Sequence, residues 1–333
     1  MTTKSPILPP PAGSRERSRA FCLSRALFGG LALCCALLAG CAPSEARYGA
    51  DERGWPRTLR VGYNPPEEET ERRARAAVFR ALAGYLEDQL GIGVEIVHSG
   101  SYSLAIEAMR ARKIDICNFG SFSYLIARQK AGAEPLVLRG SKESGQGAYR
   151  SLIITASDSG IETLEKALER AGELAFSLSD PASTSGHLVP RAHLASLGVD
   201  LEKAFGRVVF AMGHTANVMT VLEGKSDLAA VASTTLRIMV EKGAVDPGEY
   251  RVLWQSPWMP TGPIAIRGDF PENFKRAVRE AYVEMPERAP EVWDLVATMY
   301  TTGPDTVYLP GDDRVYDYYR EIASSLETMD LLD

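Results

Sequence analysis

The stretch SDPASTSGHLVP, residues 179–190, follows a strand-like run, LAFS (174–177), and leads into a helical run expected over 183–197. It is a strand-to-helix junction built of small and hydroxylated residues. Pro181 turns the chain, and Ala182 and Gly186 are small enough for a ligand to approach the backbone. A helix N-terminus leaves backbone N–H groups unpaired and carries about half a positive charge. Ser183, Thr184 and Ser185 can cap such an end, and their hydroxyls can also donate to a bound oxygen. The segment therefore has two readings, a capping box without a ligand and a cradle for a tetrahedral oxyanion. A nucleophile reading, Ser185 with His187 and Asp180, is weaker. Residues two apart on a helix do not face each other, and STSGH is not a nucleophile elbow.

Working outward, the chain alternates strand-like and helix-like runs on both sides of this junction. TLRVGY (58–63), VEIVH (94–98), IDICNF (114–119) and PLVLRG (135–140) read as strands. Helical runs at 71–90, 103–112 and 121–132 separate them. After YRSLIIT (149–155) the pattern restarts, with strands at 174–177, 207–212 and 227–231 and helices at 161–171, 183–197, 214–223 and 233–242. YRVLWQS (250–256) and GPIAIRG (262–268) follow. Such alternation predicts α/β architecture with mostly parallel sheets. Two segments, 149–155 and 250–256, are placed to cross between lobes. Lobe one is expected over 57–151 plus 251–333, and lobe two over 152–250. Four strand ends, at 99–103, 120–124, 179–187 and 213–217, carry small, hydroxyl or histidine residues, where open α/β sheets bind ligands.

The N-terminus speaks to location. Arg15, Arg17, Arg19 and Arg25 precede an apolar stretch, 26–40, that is short for a membrane span. This is the layout of a secretory signal over residues 1–40. Its end, Leu38-Ala39-Gly40-Cys41, resembles a bacterial lipoprotein cleavage box, which implies a lipid on Cys41. Residues 41–56 read as a polar tether. Cys22, Cys34 and Cys35 leave with the signal, so Cys117 is the one thiol of the folded part and can form neither an internal disulfide nor a zinc site. Removing the signal takes away five basic residues and one acidic residue, leaving a net charge of about −10. That argues against nucleic acid as a partner. No cofactor or metal is expected.

Residues 102–124, 149–155, 179–190, 213–234 and 256–267 together resemble the substrate-binding proteins of phosphate, phosphite and phosphonate ABC transporters. The D-P-x-S-T-S-G block is the most specific part. The resemblance implies a type II periplasmic-binding-protein fold, two α/β lobes joined by two crossing strands around a cleft. It also implies ligand contacts from Tyr102, Tyr149, Ser183, Thr184, Ser185 and His214. Gly120 and Ser121 would stand at a helix N-terminus facing the ligand. His187 is expected on a helix surface, and His98 and His193 as ordinary surface or strand-end residues. Trp254, Trp258 and Met259 either wall the cleft or pack at the hinge. Relatives that bind aminoalkylphosphonates hold the amine with acids, and the corresponding positions here are Ser233-Thr234 and Thr261. The implied role is a lipid-anchored, monomeric, extracytoplasmic receptor for a phosphorus oxyanion, serving an ABC permease. The rivals are a same-fold receptor for a sulfonate or vitamin precursor, and a serine hydrolase using Ser185.

Overall fold

The computed structural model describes residues 49–63, 69–141, 145–211, 213–298 and 306–326. The expected signal over 1–40, Cys41 and the first part of the tether lie outside them. Apolar runs rich in β-branched residues form the strands, in chain order β1 Thr58–Tyr63, β2 Gly93–His98, β3 Ile116–Asn118, β4 Ala133–Ser141 and β5 Gly145–Gln146. They continue as β6 Ala148–Tyr149, β7 Ser151–Ala156, β8 Ala175–Leu178, β9 Arg207–Phe210 and β10 Leu228–Ala232. The last are β11 Tyr250–Gln255, β12 Met259–Pro260, β13 Ile264–Arg267 and β14 Thr306–Pro310.

One sheet has the order β14-β4-β13-β3-β1-β2, with β5 beside β4. The other has the order β11-β7-β10-β8-β9. Each keeps a parallel block, β3-β1-β2 and β10-β8-β9. Contrary to the expectation of mostly parallel sheets, β13 and β14 enter the first sheet antiparallel, and β7 lies antiparallel to both neighbours in the second. The cause is the connectivity: a chain that crosses from one lobe and returns re-enters the sheet from the opposite end. The two connections run side by side, because β6 and β12 pair antiparallel with Tyr149 opposite Met259. Strand β11 pairs with β7 in the second sheet, so that sheet runs past the boundary drawn at 250/251 to Gln255.

The described part of the tether is tied to the fold although residues 52–54 are exposed. The Asp51 carboxylate accepts from the backbone N–H groups of Arg53 and Trp55 at 2.8 and 2.9 Å, and the Trp55 ring packs edge-on against Phe274. Inside the first sheet, buried Asp115 accepts from Arg60 Nη2 at 2.6 Å and from Arg60 Nε at 2.8 Å. Arg267 stands 3.4 Å from the same carboxylate, so one acid ties β1 to β13.

At the hinge the tryptophans divide. Trp254 stacks on the His193 ring, 4.2 Å between centroids, and packs on the second lobe's core. Met259 is buried. Trp258 is 65% exposed, with the Arg150 guanidinium over its ring, so it neither packs in the hinge nor walls the cleft.

Candidate functional site

Pro190 decides the local shape of the junction. In an α-helix its nitrogen would pair with the Gly186 carbonyl, but proline has no N–H to give. That carbonyl instead accepts from the Ser179 N–H at 2.9 Å. The chain responds with a π-helical turn over Thr184–Leu188, capped by the Ser183 hydroxyl accepting from the Gly186 N–H at 3.1 Å. The α-helix proper starts only at Val189 and ends at Ser196. Gly186 is required here, since a Cβ would meet Ser179 Oγ at 2.2 Å and His214 Cε1 at 2.9 Å. The wide turn directs Ser183, Thr184 and Ser185 into a cavity of 560 Å³ between the two sheets.

Seven of the eight expected residues line that cavity: Tyr102, Gly120, Tyr149, Ser183, Thr184, Ser185 and His214. Tyr102 and His214 each open a helix, Tyr102–Arg110 and His214–Leu222, and Gly120 caps the helix Ser121–Ala131. Ser121 is the exception. Its hydroxyl is buried and donates to the Pro260 carbonyl at 3.1 Å, which ties its helix to the hinge instead of the cavity.

The donors are held by one another. The Thr184 hydroxyl accepts from the Phe122 N–H at 2.8 Å, which leaves its own proton to give. The Ser185 and Thr184 hydroxyls stand by the Tyr149 phenol. Burial pushes its ionisation up, while those two hydroxyls and the Arg139 charge pull it down. Burial raises Tyr102 further, aided by Tyr149 and Asp180 and opposed by Arg139. Both phenols therefore stay protonated and can donate. Burial pushes His214 down to about 4 against the pull of Asp180, so its ring is neutral at neutral pH.

Ser185 has no base in His187. The His187 ring is 1% exposed, not on a helix surface as expected. Its Nδ1 bonds the Pro181 carbonyl at 2.6 Å, and the ring lies edge-on to Phe210. Asp180, the third member of the supposed triad, accepts from Ser103 Oγ and the Ala182 N–H, each at 2.8 Å.

Sequence reasoning missed Asn118 and the arginines Arg75, Arg139 and Arg237, which also line the cavity. The available signal was a charged residue, Arg139, interrupting the apolar run PLVL just before a glycine. Thr234 and Thr261 line the cavity too, and no Asp or Glu is among the described lining residues. Ser233 serves the backbone, accepting from the Arg150 N–H at 2.9 Å.

Comparison with known proteins shows the family. The chain is 30% identical over 235 residues to the phosphate-import protein PhnD of Mycolicibacterium smegmatis, covering 68% of this chain and 71% of that one. It is 29% identical over 198 residues to the phosphonates-binding periplasmic protein of Escherichia coli, covering 60% and 58%. Among solved structures, PhnD1 of Prochlorococcus marinus in complex with methylphosphonate shares the fold, with a TM-score of 0.68 at 19% identity over 82% of this chain and 99% of that one. The model of the family described as ABC transporter, phosphonate, periplasmic substrate-binding protein matches residues 62–308, and the chain belongs to that family.

Proposed function

We propose that this protein captures a phosphorus oxyanion (phosphate, phosphite or a short alkylphosphonate) and delivers it to an ABC permease. Family membership makes it an extracytoplasmic substrate-binding protein, not an enzyme. The observation that carries the ligand reading is the convergence of Tyr102, Tyr149, Ser183, Thr184, Ser185 and His214 on one cavity, with no acid among its described lining residues. These neutral donors, with Arg75, Arg139 and Arg237 adding positive charge to the cavity wall, suit an anion whose oxygens accept. The relatives named for phosphate and phosphonates support the same chemistry.

In this reading the protein is a monomer. Lobe one comprises 57–151 with the C-terminal segment, lobe two begins at 152, and the Gly120 N-cap supports the cradle from lobe one. Calorimetric titration of the wild type tests the ligand class. Phosphate, phosphite or methylphosphonate should bind, and methanesulfonate should bind more weakly. A preference for the sulfonate would favour the rival receptor. Cys41 is the proposed lipid anchor, so Cys41→Ser should move the protein from the membrane fraction to the soluble one. Retention in the membrane fraction would remove the anchor.

A further inference from the structure

Behind His214 lies a chain of buried polar groups that touches no cavity surface. Ser177 Oγ donates to Asn217 Oδ1 at 2.6 Å. Asn217 Nδ2 donates to the Ala230 carbonyl at 2.7 Å and to Ser179 Oγ at 3.0 Å. Ser179 Oγ in turn lies 3.0 Å from His214 Nδ1, and the Ala232 N–H donates to the same nitrogen at 3.2 Å. Ser177 and Asn217 are 0% exposed and Ser179 is 1% exposed.

We infer that Asn217 and the β10 backbone set the hydrogen-bonding polarity of His214, so that the ring meets the ligand as a neutral Nε2–H donor. Two groups in the chain have no choice of role. The Ala230 carbonyl can only accept, so the amide nitrogen of Asn217 faces it and the amide oxygen faces Ser177. The Ala232 N–H can only donate, so His214 Nδ1 must carry a lone pair. With Asn217 donating to its oxygen, Ser179 has its own proton left to give, and Nδ1 is the nearer acceptor. The ring proton is thereby left on Nε2, the nitrogen not engaged by these groups. Protonating Nδ1 would set it against the Ala232 N–H, donor to donor.

The charged and titratable groups around the ring leave this polarity standing. Asp180, from the loop after β8, is the acid whose charge reaches His214. Its oxygens are engaged by Ser103 and Ala182 rather than by the imidazole. From β10 the ring is met by the Ala232 N–H, and no residue of that strand, Leu228–Ala232, titrates. The cavity walls add Tyr102, Tyr149, Arg75, Arg139 and Arg237, which bring no negative charge at neutral pH.

The consequence concerns selectivity within the proposed oxyanion reading, on which this inference rests. A neutral donor favours an oxygen with a free lone pair over a P–OH. Affinity should therefore follow the ionisation of the ligand and not a histidine charge. A cationic histidine would give the opposite sign, with affinity falling as pH rises through the ordinary histidine range of about 6.5.

The test is imidazole ¹⁵N correlation spectroscopy on the full-length protein, with calorimetry using methylphosphonate from pH 5.5 to 8. In the wild type, His214 should show an unprotonated Nδ1 and a protonated Nε2 at every pH, and dianion-corrected affinity should change less than twofold. A protonated Nδ1, or a titration near pH 6.5, overturns the proposal. In Asn217→Leu the Ser179 hydroxyl turns to the Ala230 carbonyl, 3.5 Å away, and Nδ1 keeps only the Ala232 N–H. The neutral form should persist at pH 8, but the ring should begin to protonate within the range, with affinity rising several-fold as pH falls. A loss of affinity equal at all pH values would mean that Asn217 only packs. Ser179→Ala leaves Nδ1 the same single donor, the Ala232 N–H, and should shift the ring in the same direction; an unchanged titration in both variants would overturn the role given to Asn217. If the wild type shows the expected tautomer but binds no methylphosphonate, the ligand reading fails and the ring polarity stands.

Discussion

The Thr184 hydroxyl works in two directions, accepting from the Phe122 N–H of lobe one and lining the cavity beside Tyr149. Thr184→Ala leaves that N–H unpaired and removes a donor from the cavity. Oxyanion affinity should fall by about 1–3 kcal/mol, as for hydrogen bonds to charged groups and for groups left unpaired. His214→Ala should cost a similar amount. Calorimetry measures both, and an unchanged affinity would take that residue out of the site. The two buried histidines also set a pH dependence of stability. Burial holds His187 and His214 each at about 4, while the unfolded chain titrates near the ordinary value of about 6.5. Between these values the unfolded state binds more protons. Stability is therefore full above about pH 6.5 and falls towards pH 4, by at most about 1.4 kcal/mol per pH unit for each ring. His187→Gln, which can still donate to the Pro181 carbonyl, should flatten that slope; urea unfolding at pH 4.5, 5.5 and 7 checks it. The hydroxyl cluster was legible in sequence because small donors gather at a strand end. Arg139 was not, because a charge inside an apolar strand announces no direction. Nor was Ser121, whose partner is a carbonyl 139 residues away.

At the scale of the element, the alternation of strands and helices was legible because burial period and breakers are local properties. Strand direction was not, since an apolar run reads the same whichever way it enters a sheet; hence the antiparallel β7, β13 and β14. The π-helical turn was half legible. Pro190 stood in the sequence, but the Ser179 N–H that takes over the Gly186 carbonyl belongs to a partner that only the fold supplies. The Asp115 cluster was hidden for the same reason, as its three members come from three separated segments. Removing the acid leaves two mostly buried guanidiniums without it. Asp115→Ala should destabilise lobe one by about 3–5 kcal/mol in denaturant unfolding. A loss below 1 kcal/mol would mean that the cluster is solvated and structurally idle.

At the scale of the molecule, polar links and an apolar seam join the two lobes. Asp180 of lobe two accepts from Ser103 of lobe one, and Thr184 accepts from Phe122. Phe119 and Phe122 share a buried cluster with Ala182, Leu188 and Ala232. The cavity beside these links is lined by the Thr234 and Thr261 hydroxyls and by no Asp or Glu among its described residues. An ammonium group buried there would lose hydration worth several kcal/mol with no anionic partner among the described lining residues. The most direct measurement is a paired titration of methylphosphonate and 2-aminoethylphosphonate into the wild-type protein, at one pH and one salt concentration. The account predicts tighter binding of methylphosphonate, by tenfold or more. Tighter binding of the amino compound would contradict it, because an acid would then have to reach a ligand in a cavity with no Asp or Glu among its described lining residues.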